Sequence, residues 1–241
     1  MKFPALLYFA ANLMAQTALD VPWLGASRDS SGRIRNIYGV SGNFLAGEPA
    51  GEPVQSAAFS RQSSLIKTAN GVQVRRKDGM LLAERPAEDG PALFAFDALG
   101  APALVYLLNS HTFLQWDGKQ FTEIETLLDG DVRSIAVSSS GDWSAAVRRN
   151  GRLFRLTAAG IAEAFANDVT DVVLLPGGRA LLIAGLELRL GSTTFSLNES
   201  TSAIEIEWMS DDWLQLTVGA HQYALRIKPG SEAMFRLPEV R

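Results

Sequence analysis

Seven acidic residues stand just ahead of short apolar runs: Glu52, Glu88, Asp89, Asp129, Asp131, Asp168 and Asp171. Carboxylates that recur at one point of a repeated unit collect at one end of the array. There they draw in cations or a basic protein surface. Asp129, Asp131, Asp168 and Asp171 are the candidate partner-binding set. Hard cations such as calcium take oxygen ligands of this kind. The chain holds no DxDxDG loop, since Leu128 to Asp131 reads LDGD. A glycosidase needs two carboxylates roughly 5 to 10 Å apart across a cleft, and nothing in the spacing selects such a pair. The two histidines, His111 and His221, lie far apart in the chain, and each begins a strand-like run. A two-histidine metal site or a Ser–His–Asp triad is not expected from them. No GxSxG elbow occurs. Neither a cofactor nor a metal site is expected. Trp143 and Trp213 follow Asp142 and Asp212 in matching turns. They are candidates for a sugar or peptide platform, with packing between repeats as the plainer role.

Composition narrows the classes further. There is no cysteine, which excludes disulfides, Cys-ligated zinc and thiol nucleophiles. A net charge of −4 argues against nucleic acid as the main partner, because phosphate neutralisation needs clustered Lys and Arg. The densest local charge cluster is Arg28, Asp29, Arg33 and Arg35. It reads as a solvated strand edge, with an anion patch as the alternative.

The elements that must position these residues are short strands. Val132 to Leu156 reads VRSIAVSSSGDWSAAVRRNGRLFRL: three strand-like runs separated by SSSGD and RNG. The pattern recurs in five units from Val54 to the end. Their first runs end at Phe59, Phe96, Val137, Leu174 and Trp208. That period holds four strands of about five residues each. The first run of each unit is the most apolar, as befits a strand near a crowded ring centre. No long helical pattern follows residue 18, so βαβ units are not expected. The expected fold is an all-β propeller of five blades, or six if strands between residues 21 and 45 complete another. Gly42 to Pro53, with three Gly and two Pro, reads as a loop or linker.

The turn pairs SSSGDW (138–143), PGGRAL (176–181) and SDDWLQ (210–215) are similar to those of exported bacterial β-propellers. The resemblance covers residues 54–241 and implies a rigid extracytoplasmic module. It extends to neither the WD-repeat nor the kelch pattern. Trp116–Asp117 and Gly177–Gly178 each occur once.

Three segments follow. Residues 1–18 (MKFPALLYFAANLMAQTA) have the basic start, apolar run and small residues of a signal peptide. Residues 19–53 are N-terminal strands and linker, and residues 54–241 are the repeats. The expected location is the periplasm or outside the cell, with no membrane span once the signal is removed. The expected role is a non-catalytic binding or scaffold module of the bacterial envelope, with a protein or glycan partner. The alternative is a carbohydrate-active hydrolase or lyase that uses the loop carboxylates.

Overall fold

Turn residues set the strand ends. Asn150 and Gly151 both take left-handed backbone conformations, with φ of 50° and 77°. Such a pair closes a tight hairpin whose twist matches its strands. It joins the strands Trp143–Arg149 and Arg152–Thr157 in the fourth of six antiparallel sheets. The computed structural model describes residues 21–126, 128–197 and 204–238. The signal-peptide expectation for residues 1–18 lies outside them.

Among the described residues, blade 1 holds three strands: β1 (Trp23–Arg28), β2 (Ile34–Val40) and β3 (Asn43–Ala46). Each later sheet holds four. Blade 2 is β4 (Ser56–Phe59), β5 (Ser63–Lys67), β6 (Gly71–Arg76) and β7 (Leu81–Pro86). Blade 3 is β8 (Ala92–Phe96), β9 (Pro102–Leu107), β10 (Thr112–Trp116) and β11 (Phe121–Ile124). Blade 4 is β12 (Asp131–Val137), β13 (Trp143–Arg149), β14 (Arg152–Thr157) and β15 (Gly160–Ala164). Blade 5 is β16 (Asp171–Leu174), β17 (Ala180–Ala184), β18 (Glu187–Leu190) and β19 (Thr193–Ser196). Blade 6 is β20 (Ile204–Ser210), β21 (Trp213–Val218), β22 (His221–Arg226) and β23 (Ala233–Arg236).

The propeller therefore has six blades, which corrects the expected five. The sixth comes from residues 23–46, with β3 inside the stretch read as a loop. Backbone bonds tie the Gly- and Pro-rich connection that follows to blade 1. Gly47 N donates to Asn36 O, Ala50 N to Ile34 O, and Val54 N to Gly32 O, each at 2.8 Å.

The core lies in the seams between blades. Blade 2 sends Leu65, Val72 and Val74 against Phe94, Val105 and Leu114 of blade 3. Leu181, Leu188 and Leu190 of blade 5 meet Leu214, Leu216 and Leu225 of blade 6. Burying each such side chain contributes about 1.5–3 kcal/mol. This is why the runs facing neighbouring sheets are nearly continuous in Leu, Val and Ile.

Blade 1 closes the ring in its own way. In the other five blades the first strand is innermost, and these strands line a cavity of about 570 Å³ on the axis. Strand β1 runs antiparallel to β20: Gly25 abuts Met209, while Arg28, further along β1, reaches back to Glu207 and Glu205. Its direction matches second strands rather than first ones. Among the described residues, blade 1 has no strand in the innermost position, and β4 and β20 close over the gap. The Glu207 carboxylate accepts the Ala57 backbone N–H. Past the strand ends, Arg61 Nη2 donates to Asp212 at 2.7 Å.

Candidate functional site

Inner strands that share a direction place their starts at one end of the ring. The four candidate acids lie there, on the consecutive blades 4 and 5. Asp131 begins β12 and Asp171 begins β16, with Asp129 and Asp168 just before them. The Arg133 side chain stands at the mouth between Asp131 and Asp171. Its Nε and Nη2 donate to Asp171 at 3.2 and 2.5 Å. The hydrogen bond to Asp171 raises the Arg133 pKa above its ordinary value, and both aspartates add to it against partial burial. Asp168 accepts from Arg189 Nη1 at 2.7 Å, which lowers its carboxyl below the usual range. Arg189 also meets Glu187 at 3.0 Å. Asp129 is almost wholly exposed, with Arg149 Nε 3.9 Å away. Asp131 is exposed and stands opposite Arg148 in the ladder.

A bulge and strand alternation explain where two of these arginines come from. Arg133 is the extra residue of a β-bulge between Val132 and Ser134 on β12, and Arg189 is the outward-pointing neighbour of buried Leu188 on β18. The rim is thus an array of ion pairs. Paired charges held in fixed positions direct a partner's approach more than they add raw affinity.

Two further groups at this end were not singled out from the sequence. Glu207 on β20 receives Arg28 Nε at 2.8 Å, and Glu205 receives Arg28 Nη2 at 3.4 Å. Burial raises the Glu207 carboxyl above its ordinary value, against the pull of Arg28. Beside them opens a pocket of about 700 Å³ between blades 6 and 1, lined by Arg28, Asp29, Arg35, Glu205 and His221. Burial pushes Asp29 up, but the Ser31 hydroxyl, Arg35 and the backbone N–H groups of Arg33 and Ser31 outweigh it. They bring Asp29 to about 2. The cluster at Arg28 to Arg35 is therefore knitted inward, through Arg35–Asp29 at 2.8 Å and Arg28–Glu207 at 2.8 Å.

Glu88 and Asp89 stand in the connection before β8. The Asp89 carboxylate accepts from the Gln55 amide, whose Oε1 accepts from Gly90 N at 2.9 Å. Beneath them Lys67 is buried, donating to Thr68 O at 2.6 Å. Burial lowers its pKa, against the opposing effect of Asp89 and Glu88.

Trp143 and Trp213 begin second strands and so lie at the other end of the ring, two blades apart. Trp143 is half-buried and stacks on Phe113 of blade 3, with ring centroids 5.6 Å apart. Trp213 is 6% exposed and meets Phe44 of blade 1 edge-on at 6.0 Å. Each ring fills a seam between blades. His111 and His221 occupy equivalent hairpins of blades 3 and 6. His111 Nδ1 bonds the Tyr106 hydroxyl at 2.9 Å, and His221 Nδ1 accepts from Arg236 at 2.7 Å. Among the described residues no three His, Cys, Asp or Glu side chains are arranged to hold a metal ion. No described helix is long and apolar enough to cross a membrane.

Comparison with known proteins bears on the fold. No family model matches the chain, and no curated protein matches it. Among solved structures, it is similar to PorZ, an essential surface component of the type-IX secretion system of Porphyromonas gingivalis. The TM-score is 0.52 at 14% identity, over 90% of this chain and 33% of PorZ. A protein of unknown function from Bacteroides caccae gives a TM-score of 0.52 at 12% identity, over 89% of this chain and 98% of that one. Virginiamycin B lyase from Staphylococcus aureus aligns at a TM-score of 0.47 and 14% identity, over 92% and 85% of the two chains. The likenesses to PorZ and to the Bacteroides caccae protein bear on the fold alone and say nothing about ligand or activity.

Proposed function

We propose that this protein is a non-catalytic binding module of the bacterial envelope. Its partner, a protein with a basic surface, docks on the end of the ring that carries Asp129, Asp131, Asp168 and Asp171. The observation that carries this reading is the state of the rim charges. Asp168 is lowered and Arg133 raised, each by an ion-pair partner. Groups so held keep their charges through the neutral range, which suits electrostatic recognition. A general acid or base needs a pKa near the working pH. Paired carboxylates are poor at moving protons and good at presenting a fixed pattern of charge.

Glu207 favours a second reading, because burial shifts its carboxyl toward the range of a general acid and Glu205 lies beside it on Arg28. This is the hydrolase or lyase alternative, acting on carbohydrate. The purified exported chain is screened for glycan turnover beside Asp131→Asn, Asp168→Asn and Glu207→Gln. The binding reading expects no turnover above buffer in any of the four. Turnover in the parent that falls at least about a hundredfold in a variant, the typical contribution of a general acid or base, would replace it with the enzyme reading.

A further inference from the structure

Away from the mouth, a lateral cleft of about 1140 Å³ opens between blades 1 and 2. Blade 1 leans toward blade 6, where Ile37 and Phe44 pack with Met209, Trp213 and Ala224. Against blade 2 it buries only a small cluster of Ala26, Ala57 and Phe59. Among the described residues the outer part of blade 2 is uncovered on this side, and its sequence is written for water. Along β6, Val72 and Val74 are fully buried toward blade 3, while the alternate Gln73 and Arg75 face the cleft. Glu84 of β7, opposite Gln73 in the ladder, faces it as well.

These polar side chains are locked in series. Gln73 Oε1 accepts from Arg75 Nε and Nη2 at 3.0 and 2.7 Å, and Gln73 Nε2 donates to Glu84 at 3.0 Å. On the facing wall Trp23 Nε1 donates to Asn36 Oδ1 at 3.2 Å. Lys77 Nζ lies 5.2 Å from the Trp23 ring centroid. The charges lining the cleft balance, with Arg75, Arg76 and Lys77 against Glu52, Asp78 and Glu84. It therefore selects a ligand of neither sign. What it offers is an apolar floor of Ile34, Val54, Phe59 and Ile66 beside one indole, with a fixed row of planar amide, guanidinium and carboxylate groups along its edge.

We propose that this cleft binds a neutral oligosaccharide. A sugar ring has an apolar C–H face that packs on an indole. Its vicinal hydroxyls donate and accept in pairs, which planar two-pronged groups match. Groups already held by one another lose little freedom on binding. Lys77 over the half-buried indole is a weak contact, one that a sugar face can replace. The site lies apart from the acidic rim and does not depend on the docking proposed there.

The test uses the full exported chain labelled with 5-fluorotryptophan, titrated with chitotetraose, cellotetraose, maltotetraose and mannotetraose. Tetragalacturonate and an acidic octapeptide are the charged controls. The Trp23 fluorine resonance, assigned by Trp23→Phe, is expected to shift with at least one neutral sugar. Trp23→Ala, Gln73→Ala and Glu84→Ala are each expected to weaken that binding at least about tenfold, or about 1.4 kcal/mol, with Lys119→Ala, at an exposed residue in the turn after β10, unchanged. Glu84 is exposed, so its variant remains informative if Trp23→Ala fails to fold. No shift with any neutral sugar overturns the proposal. So does binding that survives Gln73→Ala and Glu84→Ala, or tighter binding of either charged control.

Discussion

Glu207 and Asp29 sit at neighbouring points of the closure seam, and burial and bonding move them in opposite directions. For Glu207 burial wins, so the folded chain holds its proton to a higher pH than the unfolded chain does. The stability it contributes is complete below the ordinary glutamate range and is lost as pH rises through the raised value. Replacing it with Gln removes that loss. From about pH 4, just below the ordinary glutamate value, to about pH 8, urea melts are expected to show the parent losing more stability than Glu207→Gln. Equal losses would contradict the burial argument. For Asp29 the hydrogen bonds win and the pKa falls from 3.8 to about 2. Its contribution, about 2 kcal/mol, is present above the ordinary aspartate value and lost as pH falls toward 2. Asp29→Asn is expected to be less stable by about that amount at neutral pH, with the gap closing in acid. A gap that persists unchanged in acid would mean that the Asn distorts the turn instead.

At the scale of elements, β1 explains both the blade count and the closure. A Cβ on Gly25 would fall 2.2 Å from Met209 O, so only glycine lets β1 lie this close to β20. Gly25→Ala is expected to cost about 1–3 kcal/mol, the range for forcing extra volume into a packed site, read as a lower urea midpoint. An unchanged midpoint would show that blade 1 is not clamped there. Much of the rest was legible. The predicted first-strand ends at Phe59, Phe96, Val137 and Leu174 coincide with the ends of β4, β8, β12 and β16. An apolar run followed by turn residues leaves little freedom in where a strand stops. Blade 1 was harder to read because the cue for a unit was a continuous apolar first run. A blade that begins at the second-strand position has none: Trp23–Arg28 reads WLGASR. Gly42 and Pro53 drew attention to the turns around β3 and away from the four residues between them. The placement of the four acids at one end followed from the repeat. Their arginine partners did not, because Arg133 and Asp171 are 38 residues apart and meet only once the ring forms. The lateral cleft had a signal in the alternation Val72, Gln73, Val74, Arg75, which marks a strand with one wet face.

At the scale of the molecule, the described residues give five blades of four strands and one of three. The three-stranded blade packs more of its apolar surface against blade 6 than against blade 2. The two ends of the ring also differ. One carries the ion-paired rim and the pocket beside Arg28. At the other, blade-to-blade bonds join the turns, with Ser60 Oγ donating to Gly100 O at 2.6 Å and Gln62 Nε2 to Leu99 O at 2.9 Å. Leu99 at that end is 76% exposed, a convenient reporter for it. The central proposal, a partner docked on the rim, is tested most directly by photo-cross-linking in intact cells of the native bacterium. The photoreactive residue is placed at position 129, 131 or 168, and at position 99 for comparison. The account predicts discrete adducts of the same mass from the three rim positions, diminished at raised salt, and none of that mass from position 99. Adducts from position 99 alone, or equally from both ends, would contradict it.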